Sequence, residues 1–174
     1  MSTAIAIGVM LATLGRPLTA SNAPHVRPLS LRAANAIMLL DRRSPTFSRL
    51  LARLQTSDLI VHLVEQQAGC DRVVKSCLII LGRSGGYRYV RVLIQSMQPY
   101  EALLQQIAHE LRHAVDIAGN AKVIDARTSV AMCNQVGWGT AEHCETRSAQ
   151  DVSRQVLAEV AASGATPRRA RRHK

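Results

Sequence analysis

The residues of this chain that are best suited to chemistry lie at positions 109–113, where the sequence H-E-L-R-H forms an H-E-x-x-H motif. Side chains four residues apart lie on the same face of a helix, so His109 and His113 can bind one Zn²⁺ together. Glu110 lies beside them, where a carboxylate can take a proton from a metal-bound water. The motif therefore predicts the chemistry of a zinc hydrolase.

The motif needs a helix that is buried on one side, and the surrounding pattern predicts one. This helix is expected to run from Tyr100 to Ile117, after Pro99 and before the Gly119-Asn120 pair. Its apolar side chains recur at helical spacing: Leu104, Ile107, Ala108, Leu111, Ala114 and Val115. Such a stripe packs on a core, while the motif occupies the flanking face.

Three short strands are predicted before the motif helix. They cover 59–64, 73–81 and 87–94, with a glycine-rich turn at 82–86 between the last two. The short connections between them predict an antiparallel meander. The fold class expected from these elements is α+β.

Two further helices are predicted on either side of the strands and the motif. The first covers 45–56, because Ser44 can cap a helix that has Pro45 in its first turn. The second covers about 141–162, where apolar residues again recur at helical spacing. Residues 121–141 are less regular, with a turn expected at 137–139.

The stretch H-E-L-R-H-A-V at 109–115 resembles the metal-binding helix of zincin metallopeptidases, in particular the gluzincin branch. With Asp116 it is also similar to bacterial proteins that carry an H-E-L-x-H-A-x-E/D motif. The resemblance covers roughly residues 45–160. It implies a minimal zincin-like domain over 45–163, in which a small, about three-stranded and mainly antiparallel sheet packs with the motif helix and a following C-terminal helix.

The resemblance also implies an activity, which is hydrolysis of a peptide or protein by a Zn²⁺-bound water that Glu110 activates. In gluzincins a Glu on the second helix is the third zinc ligand, and here the matching residue is Glu145. The alternatives are His143, Glu142 and Asp151. Asp116 lies roughly 10 Å along the helix axis from His109, so a hydrogen bond to a ligand imidazole suits it better than a bond to the metal.

Substrate contacts are less well defined by the sequence. Zincins often place a Tyr, His or Arg beside the oxyanion, and no spacing selects among the residues that could serve. The candidates for oxyanion or substrate contacts are Tyr87, Tyr89, Tyr100 and His143. The resemblance further implies that the strand 87–94 binds an extended peptide by edge pairing.

The N-terminal segment predicts export. Residues 4–14 are an uncharged apolar run, too short to cross a bilayer as a helix, with a small-x-Ala site at 21–23. Residues 1–23 are therefore expected to be a signal peptide that directs the protein to the periplasm or the exterior of a bacterium. Because no Lys or Arg precedes the run, the alternative is an apolar helix packed on a cytoplasmic domain. Residues 24–44 are expected to be a linker.

Four cysteines suit an exported protein with up to two disulfides. Three pairings are possible, of which Cys70–Cys77 and Cys133–Cys144 are the easiest to close. Buried free thiols are the alternative. The sequence contains no C-x-x-C pair, so it does not indicate a zinc site made of cysteines.

The charge of the chain bears on its partners. The formal net charge is +10, and five Lys or Arg lie within residues 167–174. Residues 164–174 are expected to be a disordered basic tail that can contact acidic surfaces. No nucleic-acid motif is found, and no transmembrane span is predicted. Two other functions therefore stay open: a zincin-like domain that binds without turnover, and a basic surface-binding protein without enzymatic activity.

Overall fold

The computed structural model describes residues 23–67, 70, 74–139 and 144–164. Along the chain these form strand β1 (Val26–Pro28), helices α1 (Leu31–Arg43) and α2 (Pro45–Gln55), strands β2 (Leu59–Gln66), β3 (Ser76–Ser84) and β4 (Tyr87–Gln95), helices α3 (Tyr100–Ala118) and α4 (Ala126–Val136), strands β5 (Trp138–Gly139) and β6 (Cys144–Glu145), and helix α5 (Arg147–Gly164). The α+β class is confirmed. The predicted helix at 45–56, the three predicted strands and the motif helix are confirmed to within three residues.

The main sheet is mixed, with strand order β1-β2-β4-β3. Strand β2 runs parallel to both β1 and β4, and only β3 is antiparallel to its neighbour β4. The prediction of a three-stranded, mainly antiparallel meander is therefore wrong. Gly85 and Gly86, both with positive φ, close a tight β3–β4 hairpin. Because β3 reverses the chain, β4 runs in the same direction as β2 and pairs with it in parallel.

The helices cover one face of this sheet. Alternate residues of β2 and β4, among them Val61, Val90 and Val92, are fully buried beneath them. The predicted apolar stripe of α3 is also confirmed, because all six of its residues are buried in the same core. Helix α3 contacts β2, β3 and β4 on one side and α1, α2 and α5 on the other, and its motif face is left at the margin of the core.

The segment 24–44, predicted to be a linker, instead forms β1 and α1. Ser30 caps α1 by accepting a hydrogen bond from the backbone N–H of Ala33 at 3.0 Å. Ala33, Ala36 and Leu40 are completely buried. These apolar residues recur at helical spacing, but the arginines that flank them, at positions 27, 32, 42 and 43, give the segment the composition of a solvated linker.

The region after α3 also differs from expectation. Helix α4 forms within the stretch predicted to be irregular, and the last helix begins at Arg147 instead of near 141. Asp125 and Thr128 form a capping box at the start of α4. The Thr146 hydroxyl accepts a hydrogen bond from the Ala149 N–H at 3.2 Å and so caps α5. Both caps are local signals that periodicity alone overlooks.

A buried arginine fixes the C-terminal end of α3 to the sheet. The Arg88 guanidinium forms hydrogen bonds of 2.9 and 2.6 Å with Asp58. It also donates to the carbonyls of Ile117, Asn120 and Val123 at 3.0, 2.8 and 2.9 Å. A cation is favourable at this end of a helix, where carbonyls lack partners. The hydrogen bond from Arg88 holds the pKa of Asp58 below its ordinary value.

The two disulfides join neighbours in sequence, Cys70 with Cys77 and Cys133 with Cys144. This confirms the pairing expected to be easiest to close, and free thiols are excluded for these four residues. None of the helices in the described ranges is long and apolar enough to span a membrane. The predicted signal peptide and basic tail lie outside the described residues, apart from Ala23 and Gly164.

Candidate metal centre

The two histidines of the motif face each other on one side of α3. Their Nε2 atoms are 3.1 Å apart, and the rings meet at an interplanar angle of 76°. The side chains are mostly buried, with 19% of His109 and 9% of His113 exposed. The i, i+4 spacing thus places two imidazole nitrogens at the distance that a shared ligand requires.

Glu145 completes the cluster, as the resemblance implied. Its Oε1 lies 3.5 Å from Nε2 of His109 and 4.0 Å from Nε2 of His113. The residue lies on β6, just before α5, and not on the helix that was expected to carry it. Among the alternatives, Asp151 is exposed and pairs with Arg154 at 2.5 Å. His143 and Glu142 lie outside the described residues.

Three local contacts hold Glu145 in this position. Its Oε1 accepts a hydrogen bond of 2.8 Å from the N–H of Thr146. The preceding residue, Cys144, is bound to Cys133 of α4. Gly137 packs so closely that a Cβ there would lie 2.1 Å from the Glu145 carbonyl oxygen. The sequence gives no direct sign of this support, because it depends on β5 pairing with β6.

The cluster fits a tetrahedral metal ion. Four-coordinate zinc, with bonds of about 2.0–2.1 Å, spaces its ligand atoms by about 3.3 Å. The ligand atoms of His109, His113 and Glu145 all lie within 4.8 Å of one another, so small side-chain movements suffice. Two imidazole nitrogens and one carboxylate oxygen also form a donor set found in catalytic zinc sites, which leave a fourth position open.

The electrostatics of the site favour neutral histidines, which metal binding requires. Burial lowers the pKa of His113 to about 3, assisted by the neighbouring His109 and Arg112. Burial also lowers the pKa of His109, although Glu145 opposes the shift. Both imidazoles therefore present free lone pairs at neutral pH.

Glu110 lies beside the cluster and is only 4% exposed. Its Oε1 accepts a hydrogen bond of 2.7 Å from the Ser76 hydroxyl of β3. Burial raises the pKa of Glu110 to about 7; the Ser76 hydrogen bond opposes this shift, and the charge of Glu145 adds to it. A carboxylate with a pKa near neutrality suits a general base. A cation bound by the three ligands would favour its ionised form.

These residues line a cleft of about 290 Å³. Residues 74–78 border it on the sheet side, and Ile117, Ser129 and Met132 border it on the helix side. The cleft therefore contains the metal-ligand cluster and Glu110 together, within a lining of both apolar and polar side chains.

The three tyrosines proposed as substrate contacts are not in this cleft. Tyr87 and Tyr89 pack near His25 and His62, with ring centroids 5.7 and 6.3 Å apart. They occupy alternate positions of β4 on the face away from the helices, whereas Arg88 between them points inward and is buried. Tyr100 opens α3 and lies under Arg32, whose guanidinium carbon is 6.0 Å from the ring centroid. For these tyrosines the prediction is wrong, and His143 lies outside the described residues.

Asp116 does not bond to a ligand imidazole. Its carboxylate accepts hydrogen bonds from Arg112 at 2.7 Å and from Ser148 at 3.5 Å. Three residues beyond His113 it is rotated about 60° around the helix axis, so it faces α5 instead of the cleft. The predicted hydrogen bond between Asp116 and a ligand imidazole is therefore wrong. Ser148 in turn contacts the Thr146 hydroxyl at 3.1 Å, so Asp116 supports the start of α5.

The strand predicted to bind peptide by edge pairing, 87–94, corresponds to β4, which lies between β2 and β3. Both of its edges are already paired, so this prediction is also wrong. The edge strand beside the cleft is β3. Its residue Ser76 was missed from the sequence, because a serine in a strand reveals its partner only when the strand order is known.

Comparison with known proteins supplies no relative: no family model, curated protein or solved structure matches the chain. The likeness to zincins therefore stays a prediction. It rests on residues 109–116 and on Glu145, the third residue of the cluster. The architecture shows the α+β class, and the finer zincin-like features stay a prediction.

Proposed function

We propose that the protein is a zinc-dependent metallohydrolase that acts as a peptidase. The observation that carries this proposal is the convergence of His109, His113 and Glu145, whose ligand atoms lie within 4.8 Å of one another beside the buried Glu110. Two neutral imidazoles, a carboxylate and an adjacent carboxyl base are the groups that zinc hydrolysis requires.

A bound Zn²⁺ supplies a Lewis acid, which lowers the pKa of water and stabilises negative charge on a carbonyl oxygen. The residues of the chain do the rest. Glu110 takes the proton of the attacking water and delivers it to the leaving amine. One of its oxygens is held by Ser76, which leaves the other available for the proton.

The edge strand β3 supports a peptide as the substrate. One side of β3 pairs with β4, and no other strand of the described residues pairs with the opposite side. An extended peptide can add to such an edge through backbone hydrogen bonds. Residues 74–78 border the cleft, so the added peptide would pass next to Glu110.

The two disulfides, Cys70–Cys77 and Cys133–Cys144, support export as the cellular setting. Disulfides persist in the periplasm and outside the cell, whereas the cytosol keeps thiols reduced. We therefore propose that the protein acts in an oxidising compartment, as the apolar N-terminal run predicts.

The test compares the purified protein with Glu110→Gln, which keeps the size of the side chain but removes the base. Zinc content is measured by elemental analysis, and cleavage of a peptide library is followed by mass spectrometry. We expect about one zinc per chain in both proteins and cleavage by the wild type alone. Equal cleavage by both, or zinc in neither, refutes the proposal. Zinc in both without cleavage identifies a binding domain.

A further inference from the structure

We propose that Ser76 is a positioning residue that links the docking of a peptide on β3 to the orientation of the base Glu110. The proposal rests on the peptidase function proposed above. It adds a role for a residue that lies 34 positions from Glu110 in sequence and belongs to no motif.

The first step concerns the side chain of Ser76. Its hydroxyl donates to Glu110 Oε1 at 2.7 Å. Among the described residues, no other side chain donates a hydrogen bond to this carboxylate. Because Glu110 is only 4% exposed, water cannot readily replace the bond. The bond therefore selects one orientation of the carboxylate.

The second step concerns the backbone of Ser76. The N–H of Gln95 in β4 donates to the carbonyl of Lys75 at 2.7 Å, so the backbone groups of Lys75 point toward β4. Backbone groups alternate in direction along a strand, which turns the N–H and C=O of Ser76 toward the opposite edge. At Val74 that edge is occupied, since its carbonyl accepts from Cys70 N–H at 3.2 Å. Within the described parts of the chain, the open edge therefore begins at Ser76.

Ser76 thus combines two contacts in one residue. Its backbone lies where an added peptide would pair, and its side chain holds the base. The next residue, Cys77, is 7% exposed and bound to Cys70, which restrains this part of β3. A peptide that pairs with Ser76 would fix its backbone further and so hold Glu110 in the orientation that receives the proton.

The experiment compares three variants of the full chain. Ser76→Ala removes the hydroxyl, whereas Ser76→Thr retains a hydroxyl on a residue that strands favour. Ser84→Ala is the control, because it removes a hydroxyl at an exposed position of the same strand. For a peptide substrate we expect Ser76→Ala to lower kcat by about tenfold or more with little change in KM. Ser76→Thr should retain most of the activity, Ser84→Ala should equal the wild type, and zinc content should be unchanged in all three.

A crystal structure of metal-free Ser76→Ala gives a readout that is independent of activity. We expect the Glu110 carboxylate to leave its position, while the thermal unfolding midpoint stays close to that of the wild type. The role of Ser76 is overturned if Ser76→Ala keeps the wild-type kcat, or if it loses zinc together with activity. It is also overturned if Ser76→Thr loses as much activity as Ser76→Ala. Absence of cleavage by the wild type overturns the peptidase function and, with it, this inference.

Discussion

Helix α3 and the segment 144–146 supply ligand atoms to one cluster, but different forces hold them in place. The helix packs its apolar side chains, including Leu103, Ile107 and Leu111, into the centre of the core. Each such side chain contributes about 1.5–3 kcal/mol through burial. The segment 144–146 has little core of its own and depends on a disulfide, a close glycine contact and the first turn of α5.

This difference separates stability from metal affinity. Changes near α3 should affect folding, because the ligands on the helix move only if the core moves. Changes around 144–146 should alter the position of Glu145 while the rest of the domain stays folded. The two regions can therefore be tested with pairs of substitutions that are chemically matched.

The largest effect is expected from removing the ligands themselves. His113→Ala should raise the dissociation constant for Zn²⁺ by more than about 100-fold, and Glu145→Ala by about tenfold. The rigid helix offers no substitute for the imidazole, whereas Glu145 is 31% exposed and water can take its place. Competition with a chromogenic zinc chelator measures both constants. His62→Ala, which removes a histidine outside the cluster, serves as the control, and equal losses in the two ligand variants would contradict the comparison.

The next effect concerns the two disulfides. Replacing either pair by serines should lower the free energy of unfolding by about 2–3 kcal/mol, since the closed loops are short and similar in length. Only the Cys133–Cys144 replacement should also weaken zinc binding, by about tenfold, because it releases the strand that carries Glu145. Chemical denaturation and zinc titration of both double variants test this. Equal zinc affinities would show that the disulfide does not position Glu145.

A smaller effect is expected from two glycines. Gly137→Ala places a Cβ 2.1 Å from the Glu145 carbonyl oxygen, so the strand must move. We expect a loss of about 1–3 kcal/mol in stability and a severalfold loss in zinc affinity. Gly119→Ala at the end of α3 meets only ordinary contacts of 3.5 and 3.6 Å and should be tolerated. Thermal unfolding with and without zinc distinguishes the two, and wild-type zinc affinity in Gly137→Ala would be inconsistent with the close contact.

The smallest effect concerns the far end of α5. Burial would raise the pKa of Glu159, but hydrogen bonds from Ser44, Thr46 and Gln155 lower it to about 2. A depressed pKa stabilises the fold above the unfolded value of 4.5, and this contribution is lost as the pH falls toward 2. The wild type should therefore lose stability more steeply than Glu159→Gln over this range, with zinc affinity at neutral pH unchanged. Parallel slopes of stability against pH would contradict this assignment.

The elements that sequence predicted well are those whose signals are local. Pro99 and the Gly119-Asn120 pair bracket α3, and Ser44 with Pro45 starts α2, so both helices were located to within one residue at each end. The spacing of His109 and His113 likewise depends on one helix alone. The geometry of a single helix was therefore enough to predict two of the three metal ligands.

The features of the site that sequence did not predict depend on which strands are neighbours. Nothing in the pattern of β3 and β4 indicates that β3 takes the outer position. For the same reason the sequence could not show that Tyr87 and Tyr89 face away from the site. Ser76 was missed for the same reason. Glu145 was predicted from the resemblance of the chain to a family. Its support by the Cys133–Cys144 disulfide and by Gly137 depends on contacts in the folded structure.

The outer position of β3 also bears on self-association. An open strand edge can pair with a second copy of the same chain and lead to aggregation. Here the regular edge is short, because a bulge interrupts the pairing between Ile80 and Gly82, and the exposed Arg83 follows. Bulges and charges of this kind discourage strand addition. About five residues, 76–80, are left as a usable edge, which suits a short peptide better than continuous stacking of whole molecules.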